Sequence, residues 1–324
     1  MISHYITKSN VPYINQSIEE ILTNQVRDDQ VIMYLWQNDN TVVIGRNQNA
    51  WRECRLEAFE EEKGKLMRRI TGGGAVYQDM GNQIFSFIAP KKLYDLDKQM
   101  EVIRRAVGSF GIEAVKQGRN DILADGKKFS GNAFRKTQHA MVHHGTILIS
   151  ADMGRLARFL NPSKEKLEAK GVTSVRSRVI NLNELNQDLT PAKMQAALIT
   201  SFNEVYGETS TEIPDSEIDS QELNKMATNY ANESWLLGPV SNFNFELHNR
   251  FTFGELEFRL AVDGGIINKT KIYSDALDVN WILAIEAAFV GIPFTKKALI
   301  NAIPESEQPT DKNELADYIN NLNM

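Results

Sequence analysis

The sequence predicts an α+β fold in two domains. Over roughly the first 240 residues, β-branched apolar runs and amphipathic helical runs are mixed without regular strand–helix alternation, which argues against a doubly wound parallel sheet. Composition then shifts at Gly238-Pro239-Val240-Ser241-Asn242. Beyond that point a hairpin pattern is followed by helical patterns, as in a small self-contained unit. A length of 324 residues suits one large domain and one small one, and we set the division at 1–244 and 245–324.

Taken in order, Ser17-Ile18-Glu19-Glu20 has the form of a capping box, and Ile18, Ile21, Leu22 and Val26 follow at helical spacing, predicting a first helix. The apolar runs 31–36 and 41–44 flank Asn38-Asp39-Asn40 and read as a hairpin. Residues 52–63 form a charged helical stretch, and 66–71 and 83–89 read as strands either side of a glycine cluster. A helix over 96–110 ends at Gly111, where a left-handed residue is needed. Asp125-Gly126 is a two-residue turn between strands starting at Asp121 and Lys127, and 141–150 is a further strand. Helices are predicted over 153–160, 191–206 and 221–232. In the second domain, 251–262 and 266–273 flank Asp263-Gly264-Gly265, and helices follow at 281–290, 295–301 and 313–322.

A net charge of −6 disfavours a nucleic-acid surface. Cys54 is the only cysteine, so no intrachain disulfide forms, which favours a reducing compartment. The first residues carry no charged and apolar pattern of a signal peptide, and no apolar run approaches membrane length. We therefore expect a cytoplasmic protein without nucleic-acid or membrane partners.

Four segments carry chemistry. In Arg68-Arg69-Ile70-Thr71-Gly72-Gly73-Gly74-Ala75-Val76-Tyr77, three consecutive glycines interrupt strand-like sequence. A tight connection explains such a cluster, but two adjacent arginines tip the reading toward bare backbone that handles phosphate or carboxylate. The spacing matches neither of the common nucleotide-binding glycine loops. Gly118-Arg119-Asn120-Asp121 and Lys127-Lys128-Phe129-Ser130-Gly131 lie on a hairpin, either as a lysine-guarded solvated edge or as a site. Side chains alternate across a strand, so one arginine and one lysine of each pair face any given site. For the same reason His143 and His144 cannot ligate one metal together, and no partner ligands complete such a motif. Residues 170–178 are basic and hydroxyl-rich and read as a loop. Cys54 has no base nearby in sequence, and we read it as structural.

These segments, with Thr41-Val42-Val43-Ile44-Gly45-Arg46-Asn47-Gln48-Asn49, Lys128-Phe129-Ser130-Gly131 and His143-His144-Gly145-Thr146, fall in an order that resembles lipoate-protein ligase A over nearly the whole chain. The resemblance implies a biotin-protein-ligase-like mixed-sheet α+β catalytic domain with a small α+β accessory domain. It implies that lipoate is activated by MgATP to lipoyl-AMP and then passed to a lysine of an apo lipoyl domain. The expected partners are lipoyl domains of 2-oxoacid dehydrogenase complexes, the glycine cleavage H protein, or both; no tightly bound prosthetic group is expected. Carried over by position, Lys128 is the catalytic lysine. ATP contacts fall at Arg69, Gly74, Ala75, Val76, Tyr77, Asn120, Asp121 and Lys128. Lipoate contacts fall at Arg69, Gly72, Gly73, Gly74, Lys128, Ser130 and His144. Lys170, Gly171, Ser174, Arg176 and Arg178 correspond to an adenylate-binding loop, and Asp121 is the candidate Mg²⁺ ligand. Many relatives have histidine where this chain has Gln78, which has no proton to exchange near neutral pH. A transferase of the same fold that moves octanoyl or lipoyl groups without ATP, and a non-catalytic lipoate or nucleotide sensor, are the competing readings. The sequence leaves the choice between lipoate and octanoate open.

Overall fold

In the computed structural model, residues 1–118, 120–161, 179–238 and 243–322 are described. They include fourteen strands: β1 (Ile2–Ile6), β2 (Val31–Trp36), β3 (Thr41–Ile44), β4 (Lys65–Arg68), β5 (Val76–Gln78), β6 (Asn82–Pro90), β7 (Val115–Gln117), β8 (Asp121–Ala124), β9 (Lys127–Lys136), β10 (Ala140–Leu148), β11 (Thr211–Glu212), β12 (Phe245–Phe251), β13 (Gly254–Asp263) and β14 (Ile266–Ser274). The chain divides into two compact units, one comprising Met1–Val43, Trp51–Arg68 and Val76–Leu236, the other Ile44–Ala50, Arg69–Ala75 and Leu237–Met324. The mixed α+β class read from the sequence is the class observed.

The first unit is built on a sheet ordered β11-β1-β2-β6-β10-β9-β8-β7. β1 runs parallel to β2 and β11, and the remaining pairs are antiparallel. The central strands are buried on both faces, so they read as continuous apolar runs rather than alternating ones. Met33, Leu35, Phe85 and Phe87 point into one core with Val102, Ile103 and Ala106 of the helix Leu96–Gly108 and Leu198 and Phe202 of the helix Pro191–Tyr206. Ile32, Tyr34, Trp36, Ile84 and Ile88 point into the other, against Ile18, Ile21 and Leu22 of the helix Pro12–Gln25. Asp125 and Gly126 both take positive φ, 49° and 69°, which is the left-handed pair a two-residue turn between β8 and β9 requires.

Three local expectations fail for identifiable reasons. β2 and β3 are not a hairpin: β2 pairs with β1 and β6, while β3 pairs with β5 in a small sheet ordered β4-β3-β5. The first helix starts at Pro12, whose missing N–H costs nothing in the first turn, so Ser17 is not its cap. Ser17 lies inside the helix and donates from Oγ to the Tyr13 carbonyl at 2.7 Å. The charged stretch 52–63 is broken into Ala50–Glu53 and Leu56–Glu61.

In the second unit β12, β13 and β14 form an antiparallel meander. Leu256, Phe258, Leu260 and Ile272 of its sheet pack on Trp281, Ile282, Ile285, Leu299 and Leu315 from the three helices that follow. Two stretches far away in sequence belong to this unit: Ser274 N–H donates to the Asn47 carbonyl at 2.9 Å and Gly73 N–H to the Ala276 carbonyl at 3.2 Å. No helix among the described residues is long and apolar enough to cross a membrane.

The position of Ser17 is checked by Ser17→Ala. A capping serine would cost about 1 kcal/mol on removal, whereas a serine inside a helix gives way to a better helix former, so urea denaturation should show a change within about 0.5 kcal/mol.

Candidate active site

The β8–β9 hairpin brings the predicted lysine and carboxylate together. Lys128 Nζ lies 2.6 Å from Asp121 Oδ1, with side chains 21 % and 14 % exposed. A register shift between Ile122 and Leu123 leaves Phe129 as the extra residue of β9, and Phe129 is buried in the core while Lys127 is exposed. Of the lysine pair, Lys128 alone is therefore turned inward, as alternation required. Gly131 sits across from Asp121, and a Cβ there would stand 2.7 Å from Lys128 Nζ, so the ammonium lies over bare backbone and would have to move aside for a side chain. Ser130 is buried beside it, and Asn120 is bound to β9 through the Asn132 main chain and amide. Val179 forms a bridge with Lys128, and Ile180 N–H donates to the Lys128 carbonyl at 3.0 Å, so the chain returns to this lysine immediately after residues 162–178. Lys170, Gly171, Ser174, Arg176 and Arg178 lie outside the described residues, as does Arg119.

Arg69 and the glycines form a second group, within the other unit. The Arg69 guanidinium folds back over the loop, donating from Nε to Thr71 Oγ1 at 3.0 Å and from Nη2 to the Gly72 and Gly74 carbonyls at 2.6 and 2.9 Å. Arg68 instead reaches the Trp235 and Leu236 carbonyls, so the arginine pair also splits as alternation predicted. The glycines have a packing reason of their own. A Cβ on Gly72 would stand 2.2 Å from the Ala276 carbonyl oxygen, and one on Gly45 would stand 2.2 Å from that of Gly73. Gly73 has φ of +92°. The bare backbone is thus used for close main-chain approach, and the Gly73 N–H that the sequence offered to an anion is bonded to Ala276.

His144 belongs to a third group on β10. Its Nδ1 is 2.7 Å from Glu19 Oε1, which also receives the Ser86 hydroxyl at 2.6 Å, while Gln16 donates to Glu19 Oε2 at 2.7 Å. Burial pushes the Glu19 carboxyl up, but the charge and hydrogen bond of His144, with those from Ser86 and Gln16, outweigh it and hold the carboxyl below its usual range. Trp36 donates its indole N–H to Ser86 Oγ at 3.3 Å and stacks on Tyr34. Sequence reading missed Glu19, Ser86 and Trp36. The available signal was a carboxylate flanked by Ile18 and Ile21 on the apolar side of the first helix.

Ala75 leads into β5, where Val76 pairs with Val43 and the Tyr77 hydroxyl donates to Asn40 Oδ1 at 3.2 Å. Gln78 accepts from Asn38 Nδ2 at 2.8 Å, and Asn38 accepts from Asn15, so Gln78 is a member of a buried amide chain. Cys54 is buried, and burial with the neighbouring Glu60 charge pushes its thiol up to about 12, the reverse of an activated nucleophile. No group of three or more His, Cys, Asp or Glu among the described residues is arranged to hold a metal ion.

Residues 11–203 match the family described as the lipoyl protein ligase A/B catalytic domain, and residues 241–321 match the bacterial lipoate protein ligase C-terminus. The fold is similar to that of LipL1 of P. falciparum, solved in complex with lipoate, with 30% identity, a TM-score of 0.87, and coverage of 98% of this chain and 99% of that one. The archaeal bi-partite lipoate protein ligase of Thermoplasma acidophilum, studied with its E2 lipoyl domain, is 25% identical over 75% of this chain and 98% of its own, with a TM-score of 0.64. A lipoate-protein ligase A bound with ATP shares the fold at 24% identity and a TM-score of 0.64, covering 74% of this chain and all of that one (100%).

Two outcomes follow from the geometry. Gly72→Ala drives a methyl group into the Ala276 carbonyl and should lower stability by about 1–3 kcal/mol in denaturant unfolding. Cys54 should resist an aromatic disulfide reagent at pH 8 until denaturant is added; rapid reaction of the native protein would contradict the burial and raised thiol described above.

Proposed function

The chain belongs to the lipoate-protein ligase family of enzymes, and from that membership we propose that it is an ATP-dependent ligase for free lipoate. In the first step a lipoate carboxylate oxygen attacks the α-phosphorus of ATP, forming the acyl–phosphate bond and releasing pyrophosphate. In the second, the ε-amine of an acceptor lysine attacks the acyl carbon, forming an amide, losing its proton and releasing AMP.

The observation that carries this reading is the inward ammonium of Lys128, held by Asp121 and cleared by Gly131. Two anions must be brought to contact in the first step. A fixed ammonium with one compact charge lowers their repulsion and favours the charge that builds on the α-phosphate oxygens. Asn120 and Asp121, on the same hairpin, are the nucleotide contacts in this reading, with Arg69, Gly74, Ala75, Val76 and Tyr77. Gly72, Gly73, Gly74, Ser130 and His144 are lipoate contacts alongside Lys128 and Arg69. Lys170, Gly171, Ser174, Arg176 and Arg178 are the adenylate contacts in this reading; Ile180, beyond them in sequence, donates its N–H to the Lys128 carbonyl.

Mg²⁺ enters as part of the nucleotide substrate. An ion that keeps phosphate and water ligands needs one or two protein carboxylates, and Asp121 is the hairpin carboxylate that lies beside Lys128. The acceptor is a lipoyl domain, in line with the E2 lipoyl domain described together with the archaeal relative; 2-oxoacid dehydrogenase and glycine cleavage H proteins are the classes expected. The single cysteine suits a reducing, cytoplasmic setting. Residues 1–244 act as the catalytic domain and 245–324 as its accessory domain. A cysteine-dependent acyl transferase finds no support at Cys54, whose thiol is buried and raised.

Lys128→Ala should fold with an unchanged far-ultraviolet spectrum and lose lipoyl-adenylate formation by at least about a hundredfold, measured as lipoate-dependent exchange of pyrophosphate into ATP. Exchange at the wild-type rate would overturn the role given to Lys128.

A further inference from the structure

His143 has no part in the chemistry above, yet it is fully buried and both ring nitrogens are engaged. Nε2 is 2.8 Å from Asn132 Oδ1 and Nδ1 is 3.0 Å from Gln99 Oε1. The ring is stacked on Phe87 and Phe134 and meets the edge of Phe85. Asn132 is in turn tied to Asn120 three times. Its main-chain N–H and its Nδ2 donate to the Asn120 carbonyl at 2.8 and 3.1 Å, and Asn120 Nδ2 donates back to the Asn132 carbonyl at 3.0 Å. Gly145 lies opposite Asn132, where a Cβ would come within 2.6 Å of Phe85 Cζ and 2.7 Å of Asn132 Oδ1, so the ring and this amide share the space a side chain would take.

Asn132 Nδ2 is committed to Asn120, so Asn132 presents its oxygen to the imidazole and His143 Nε2 must carry the hydrogen. Burial first, then the charges of His144 and of Lys116 on β7, push the His143 ring down to about 3, so it is neutral and Nδ1 is an acceptor. Gln99 must then offer its NH₂. With Oε1 toward Nδ1, Gln99 Nε2 and the Tyr206 hydroxyl are both buried without a partner. Turning the amide end for end lets Nε2 donate to His143 and turns Oε1 toward the neighbouring Tyr206 hydroxyl, from the helix Pro191–Tyr206, which can then donate to it. The remaining charges near this end of the chain are Asp95 beside Tyr206 and the Lys98 ammonium over its ring.

We propose that His143 is a positioning residue of the ligase site: as the Nε2-protonated tautomer it locks the Asn132 amide, and Asn132 locks Asn120 next to the Asp121–Lys128 pair. A single ordered chain, Tyr206 to Gln99 to His143 to Asn132 to Asn120, thus ties two core helices to the turn that carries the nucleotide contacts. The catalytic consequence rests on the ligase reading; the clamp itself does not. Each donor is matched to one acceptor, so no link can reverse without orphaning a buried group, and that is what gives the turn a single position.

The test combines two readouts on the full-length protein. Long-range ¹H–¹⁵N spectra of the wild type should show His143 neutral and protonated on Nε2 from pH 5 to 8. An imidazolium, or an Nδ1-protonated ring, at pH 7 overturns the proposal without any variant being made, which matters if His143→Ala fails to fold. In folded His143→Ala the turnover of lipoate-dependent ATP–pyrophosphate exchange should fall about ten- to a hundredfold, as misplacement of a reacting group does, with the KM for lipoate unchanged. His143→Gln, which still offers an N–H to Asn132, should recover most of it. Wild-type turnover in His143→Ala, or a loss that His143→Gln does not recover, contradicts a positioning role. If the wild type itself shows no exchange, the ligase reading fails, and the clamp is decided by the tautomer and by whether the Asn120 side-chain amide resonance shifts in His143→Ala.

Discussion

Burial of the central sheet on both faces is the constraint from which the rest of the first unit follows. Neighbouring residues on β2, β6 and β10 enter different cores, so any polar side chain placed there must find its partners in a dry environment. His143 and His144 are adjacent in sequence and solve this in opposite ways. One is held neutral between two amides against phenylalanine rings, and the other is set against a fully buried carboxylate. The two polar chains that result, from Gln99 to Asn120 and from Gln16 to His144, are the features that a uniformly apolar core would lack. Both lead toward residues with a proposed role in catalysis or binding.

The β8–β9 hairpin and the glycine loop obey a different rule, that of room. Gly131 and Gly145 are small because a Cβ would strike Lys128 and Asn132, and Gly45 and Gly72 are small because a Cβ would strike main-chain oxygen. At Gly45 and Gly72, where the contact is main chain, the glycine is required by close approach rather than by chain flexibility. The triple glycine first read as an open anion cradle is, in this structure, a loop closed down on Arg69 and Ala276. The Gly73 N–H and the Arg69 guanidinium are both engaged within its own unit.

Much of this was legible in the sequence wherever the cause was local. Asp125-Gly126 dictated a two-residue turn, the helix read over 191–206 is observed over Pro191–Tyr206, and alternation correctly separated Arg68 from Arg69 and Lys127 from Lys128. The failures have non-local causes. Nothing between residues 31 and 44 signals that β2 pairs with β1 and β6 and not with β3, because those partners lie elsewhere in the chain. β12 was overlooked because it is an edge strand in which Glu246, His248 and Arg250 interrupt the apolar pattern. No sequence signal announces that residues 44–50 and 69–75 pack with the C-terminal residues. Glu19, Asn132 and Gln99 are ordinary polar residues until the fold buries them.

The central claim is that free lipoate is activated by ATP before transfer. Intact mass spectrometry of an apo lipoyl domain incubated with this protein, free lipoate, ATP and Mg²⁺ tests it most directly. The account predicts one lipoyl addition to the acceptor lysine, absent when ATP is omitted. Modification that proceeds without ATP from an acylated carrier protein, with none from free lipoate and ATP, would contradict it.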